Sequence, residues 1–214
     1  MKTLLVITGP QGSGNHLFSK IFAANPNVFG WKKLNDTYWV PHDQEPFAEV
    51  WDNPELLKNV EFNKFAFTSI SCPYMYKGKR VIPRYEEFFS AAKQLGYRIK
   101  VGIIGRDRNV LEHQQSRLRG QVTLPFFEER LHLFNEYNPV YLSTELLYLY
   151  KGYYIKSIAK QLEFPVHVSA SKLDEILAED PNQKYIIAAE PTPLDNIVRS
   201  INGLNNTSAE QNNG

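Results

Sequence analysis

The sequence holds a single cysteine, Cys72, which excludes an internal disulfide framework and a cysteine-built metal cluster and fits a reducing compartment. Cys72 reads as a small, partly buried residue rather than a reactive thiol. Net charge is scarce as well. At a formal +1 the chain sets up no broad field for nucleic acid or an anionic membrane, so any anion recognition has to be local. Long apolar runs are missing too: Tyr, Lys and Asp interrupt each one well before the roughly 20 residues a membrane helix needs. The run beginning at Leu4 is ended by Gly9, Pro10 and Gly12, too early for a signal peptide. These absences predict a soluble, non-exported, cytoplasmic chain with neither a nucleic-acid nor a membrane partner. They leave its oligomeric state open.

With 214 residues, 43% of them hydrophobic, the chain can bury one sizeable core. Leu4-Leu5-Val6-Ile7 is a continuous apolar run, the pattern of a strand covered on both faces. Past the glycines, Leu17, Phe18, Ile21 and Phe22 share one helical face, and Asn25-Pro26 stops that helix. Further strands are expected over residues 65–70, 99–104, 165–169 and 185–189. Helices are expected at 84–95, after Arg108, around 126–137, from a Ser143 cap to about Leu162, from a Ser171 cap, and from Thr192 to Gly203. Strands alternating with helices predict an α/β fold of three layers around a mainly parallel central sheet. Residues 1–203 read as one domain. Within it, residues 27–61, rich in Trp, Asp, Asn and Pro with little periodicity, read as a variable insertion, and residues 204–214 read as a disordered tail.

The chemistry concentrates after the first strand. Gly9-Pro10-Gln11-Gly12-Ser13-Gly14 would turn backbone N–H groups inward around an oxyanion, and the helix opening at Asn15 adds its positive dipole end. A Walker A loop would continue with lysine and a hydroxyl residue, to reach the β and γ phosphates and to bind Mg²⁺. Asn15 and His16 stand there instead, and no apolar strand ends in a clear Walker B aspartate. Hydrolysis of a nucleoside triphosphate is therefore disfavoured, and no pair of histidines has metal-ligand spacing.

Gly9-Pro10-Gln11-Gly12-Ser13-Gly14-Asn15-His16-Leu17 resembles the 5′-phosphosulfate loop of the sulfotransferase family, matching at Ser13-Gly14. Val101 to Val110, with Gly105-Arg106-Asp107, is similar to that family's strand ending in an arginine turn, and residues 153–173 are similar to its late helix, strand and capped turn. The resemblance implies a co-substrate, 3′-phosphoadenylyl sulfate, and transfer of its sulfuryl group to a hydroxyl or amine on a small-molecule or glycan acceptor. It implies Gly9, Gly12, Ser13, Gly14, Asn15 and His16 around the 5′-phosphosulfate, with Arg106 and a serine on the 3′-phosphate. Either Gln114 or Ser116 fills the serine's place. Sulfuryl transfer needs in-line positioning, charge stabilisation and a general base but no metal. Gly12 departs from the family, standing where its basic residue faces the bridging oxygen; His16, Lys20, Arg106 or a lysine from residues 27–80 are the candidate substitutes.

His42, in the Trp39-Val40-Pro41-His42-Asp43 stretch of the insertion, is the first choice for general base, with His16 as a second catalytic candidate. Trp31, Tyr38 and Trp39 are candidates to line an acceptor pocket. Arg108 reads either as a phosphate ligand or as the partner of Glu112, while His132 and His167 read as packing residues. Two rival functions stay open: a P-loop small-molecule or nucleotide kinase, and a nucleotide-binding module without catalysis.

Overall fold

The computed structural model describes residues 1–37 and 39–179. The expected strand at 185–189, the helix from Thr192, the 204–214 tail and Tyr38 lie outside the described residues.

The chain begins with strand β1 (Thr3–Pro10) and helix α1 (Asn15–Ala23), then a two-residue strand β2 (Val28–Phe29) and helix α2 (Ala48–Asp52). Strand β3 (Phe65–Cys72) leads into a hairpin of β4 (Tyr74–Tyr76) and β5 (Lys79–Val81), and then into α3 (Tyr85–Gln94). Next come β6 (Arg98–Gly105), α4 (Arg108–Arg119), α5 (Leu124–Glu128), β7 (Val140–Ser143), α6 (Thr144–Leu162) and α7 (Ala170–Ala178). Among the described residues, five strands form one sheet in the order β2-β3-β1-β6-β7, every pair parallel. The expected α/β architecture with a parallel central sheet flanked by helices is present.

The unbroken apolar run of β1 follows from its central place. Leu4 and Val6 pack on one face with Trp51, Phe88 and Phe134, while Leu5 and Ile7 pack on the other with Phe18, Phe22 and Leu147. Each side chain of the run is fully buried, so no position tolerates the polar alternation of a half-exposed strand. Helix α1, after β1, lies on the second face, and α3, which carries the chain from β3 across to β6, lies on the first. The chain thus moves one way along the sheet from β1 to β2 and the other way from β6 to β7. The β1/β6 boundary is the topological switch point, where open α/β sheets leave a crevice beyond their carboxyl ends.

Several expectations need correction. Residues 165–169 form no strand; Ser169 instead caps α7, its Oγ accepting the Lys172 N–H at 3.1 Å, two residues before the expected Ser171 cap. The expected 126–137 helix is broken into α5 and a 3₁₀ segment, Leu131–Tyr137. The Ser143 cap is present, accepting Leu146 N–H at 3.1 Å, although α6 carries a kink at Lys151 (φ 42°, ψ −121°). The 27–61 segment, read as a variable insertion, buries Trp31, Leu34, Val40, Phe47, Val50, Trp51 and Leu57. It therefore builds core on both faces of the sheet and supplies β2. Among the described residues no helix is long and apolar enough to cross a membrane.

Candidate functional site

The loop between β1 and α1 sits at the switch point. Gly9 belongs to β1, paired with Ser71, and lies beneath the loop rather than in it. A Cβ there would come within 2.6 Å of Ser13 Oγ and 2.8 Å of the Ile104 carbonyl oxygen, so only glycine lets the turn close onto β6. Gly12 and Gly14 have φ of +90° and +111°, a backbone region costly for any L side chain.

Three consecutive carbonyls of this turn are held by side chains from three other places. Gln115 Nε2 donates to Gln11 O at 2.7 Å, Arg106 Nη1 to Gly12 O at 2.9 Å, and Thr144 Oγ1 to Ser13 O at 2.9 Å. Because the peptide is planar and trans, a carbonyl fixed in one direction points the next residue's N–H in the other. The N–H of Gly12 thereby points away from Gln115, and that of Gly14 away from Thr144. That of Ser13 closes the turn on Pro10 O at 3.1 Å. The first N–H groups of α1, at Asn15, His16 and Leu17, have no intrahelical acceptor and carry the helix's positive end. The fully buried Ser13 Oγ has no hydrogen-bond partner among the described residues. Backbone donors and a helix's positive end gathered in one turn are the chemistry that accommodates an oxyanion.

Arg106, immediately after β6, also reaches Gln114 Oε1 with the same Nη1, at 3.3 Å. Asp107 caps the following helix α4 by accepting Val110 N–H at 3.0 Å, which fixes the turn carrying the arginine. Of the two residues offered for the serine's place, Gln114 accepts from Arg106 beside the loop, and Ser116 is exposed. Arg108 points elsewhere, paired with Glu112 at 2.7 Å and Glu128 at 3.1 Å on the surface. Lys20 is buried against α7 as the partner of Glu179, and Lys32 donates to Ala23 O at 2.8 Å at the far end of α1. Neither lysine can take the place of a cation at position 12.

Beside the loop the two histidine candidates come together. His16, in the first turn of α1, donates its Nε2–H to Val40 O at 2.7 Å, and its ring lies 5.4 Å from that of His42. Trp39, 46% exposed, stacks on His16 at 6.0 Å. Tyr74 of the hairpin approaches His42 at 6.5 Å, edge to face. Trp31 contacts both histidine rings but is fully buried, so it floors this cluster rather than lining a cleft. His132 and His167, expected to pack, are exposed instead.

Beneath His42 lies a residue that the sequence reading did not single out. Glu45, 4% exposed, accepts the Phe47 N–H at 2.8 Å. It lies along β3 where the short β2 leaves that strand's edge uncovered. Burial pushes its carboxyl up to about 8; the Phe47 N–H bond and the nearby polar groups of Thr68 and Ser69 oppose the shift without cancelling it. Cys72 is buried, its thiol pushed up to about 11 chiefly by that burial, which makes it inert. A separate groove of about 520 Å³, lined by Glu86, Phe89, Lys93, His132 and Tyr137 among others, flanks α3, away from the loop.

Gln115 and Thr144 were also invisible to sequence reasoning. Their role depends on partners more than a hundred residues away, and nothing local distinguishes them. Neither the known family models nor the curated proteins contain a match to this chain. Among solved structures, the crystal structure of mouse sulfotransferase SULT7A1 complexed with PAP aligns with 82% of this chain at 12% identity and a TM-score of 0.42. The aligned region is 63% of that chain's length. A likeness this loose leaves the family of the present chain to be decided by its own site.

Proposed function

We propose that this chain binds an adenine nucleotide through the β1–α1 loop and transfers a sulfuryl group from 3′-phosphoadenylyl sulfate to a hydroxyl or amine of a small-molecule or glycan acceptor. The observation that carries the proposal is the clasp on Gln11, Gly12 and Ser13, whose carbonyls are held outward from three elements. Such preorganisation spares the loop from reordering when an anion enters. Loop N–H groups, Ser13 Oγ and the Arg106 guanidinium would hold the nucleotide's charged groups. Asn15 and His16, in place of the Walker lysine and hydroxyl, favour this reading over a kinase.

The co-substrate's chemistry is a single displacement: the acceptor oxygen or nitrogen forms a bond to sulfur as the sulfur–oxygen bond to the 5′-phosphate breaks, leaving adenosine 3′,5′-bisphosphate. In the protein, His42 takes the proton the acceptor loses, and His16, held by Val40 O, fixes the distance between the base and the loop. Trp39 offers the acceptor a half-exposed ring face. A nucleotide-binding module without catalysis is the second reading, supported by Gly12, which removes the family's loop cation.

Isothermal titration of the full chain tests the proposal. Adenosine 3′,5′-bisphosphate is expected to bind without Mg²⁺ and more tightly than Mg²⁺-ATP, and the reverse order would favour the kinase. Bisphosphate binding without conversion of labelled 3′-phosphoadenylyl sulfate across a panel of phenols, amines and glycans would favour the silent module.

A further inference from the structure

A side-chain cation at position 12 is disfavoured by the backbone of this fold. The Gly12 φ of +90° disfavours any side chain, and a Cβ would lie 2.9 Å from Gln114 Oε1. Arg106, immediately after the neighbouring strand β6, rests its Nη1 on the Gly12 carbonyl itself at 2.9 Å. We infer that Arg106 supplies the cation that position 12 lacks, acting on the anion in the loop and not as a clamp on a 3′-phosphate; the inference rests on the nucleotide-binding reading above.

Four observations converge on it. Both hydrogen bonds of Arg106 use Nη1, so Nε and Nη2 have no protein acceptor among the described residues and can present two parallel donors to an oxyanion. The guanidinium is only partly exposed, which spares it much of the screening a surface charge suffers. Lys20 and Arg108 are committed to Glu179 and to Glu112 and Glu128. Among the described residues, the side chain that faces Arg106 is the amide Gln114 and not a hydroxyl, and Ser116 is exposed.

The two assignments separate by ligand. Wild type, Arg106→Gln and Arg106→Lys are titrated with adenosine 5′-phosphosulfate, which has the sulfated 5′ anion but no 3′-phosphate, and with adenosine 3′,5′-bisphosphate. Arg106→Gln is expected to weaken both ligands by a similar factor, about 10- to 100-fold, and Arg106→Lys by less. Raising the salt concentration should narrow the gap between wild type and Arg106→Gln, which a purely structural role would not do. Ligand-free melting curves establish that each variant is folded, and Lys keeps the charge should Gln loosen the loop. A loss confined to the bisphosphate would overturn the inference in favour of a 3′-phosphate clamp, and no loss for either ligand would overturn it outright. Wild type binding neither ligand would bring down the nucleotide-binding reading itself, and this inference with it.

Discussion

Gly12 shows what one residue can decide. Its φ of +90° strains any side chain that a sulfotransferase-like loop would carry there, and its N–H points away from the Gln115 bond that holds the preceding carbonyl. Gly12→Ala is expected to lower stability by about 1–2 kcal/mol through left-handed strain and to weaken nucleotide binding, both measurable by thermal unfolding with and without adenosine 3′,5′-bisphosphate. Glu45 makes a different prediction. Its carboxyl holds its proton up to about 8 when folded, against an ordinary value of 4.5, so between those values the native state binds more protons than the unfolded one. Stability must therefore fall as pH rises from about 4.5 to about 8, by on the order of a few kcal/mol, and level off above that. Glu45→Gln should flatten this slope in melting temperatures taken from pH 5 to 8.5, and an unchanged slope would show that the carboxyl titrates normally. Gly12 and Arg106 were legible in the sequence because glycine spacing after an apolar strand and an arginine at a strand end carry local signals. Glu45 was not, because its burial is created by the uncovered edge of β3, a property of pairing and not of neighbouring residues.

Among the elements, those with a full period of their own could be read directly. β1, β3, β6, α1, α3, α4 and α6 each bury enough of one face, or both, to leave a pattern. β2 and β7 span two and four residues, too short to show alternation, and owe their conformation to the strands they join. The apolar alternation at 165–169 looked like a strand, yet Ser169 ends it as a helix cap. α4 holds the loop through Gln115, which is fully buried and binds Gln11 O with its nitrogen and the Thr123 and Leu124 N–H groups with its oxygen at 2.7 and 2.9 Å. Gln115→Ala would leave three backbone groups without partners and should cost about 2–4 kcal/mol in denaturant unfolding. Thr144→Val keeps the shape but removes the donor to Ser13 O; a cost of about 1 kcal/mol is expected, with Thr144→Ser restoring it.

For the whole molecule, the strand order brings chemistry from distant stretches to one edge. The β1–α1 loop, Arg106 after β6 and Thr144 after β7 all lie beyond the carboxyl ends of parallel strands, while α1 and α3 cover opposite faces. The sequence could place the loop after β1 and Arg106 after β6, but the clasp appears only once β1, β6 and β7 are adjacent. Because ligand bound only to the native state stabilises it by mass action, adenosine 3′,5′-bisphosphate at 100 times its dissociation constant should add about 2.7 kcal/mol to the stability of the full chain. The most direct test of the central claim observes the loop amides themselves, by ¹H–¹⁵N correlation spectra during a titration with adenosine 3′,5′-bisphosphate. The account predicts the largest shifts at the N–H groups of Gly12, Gly14, Asn15 and His16; saturable shifts that leave these four unmoved, or no shifts at all, would contradict it.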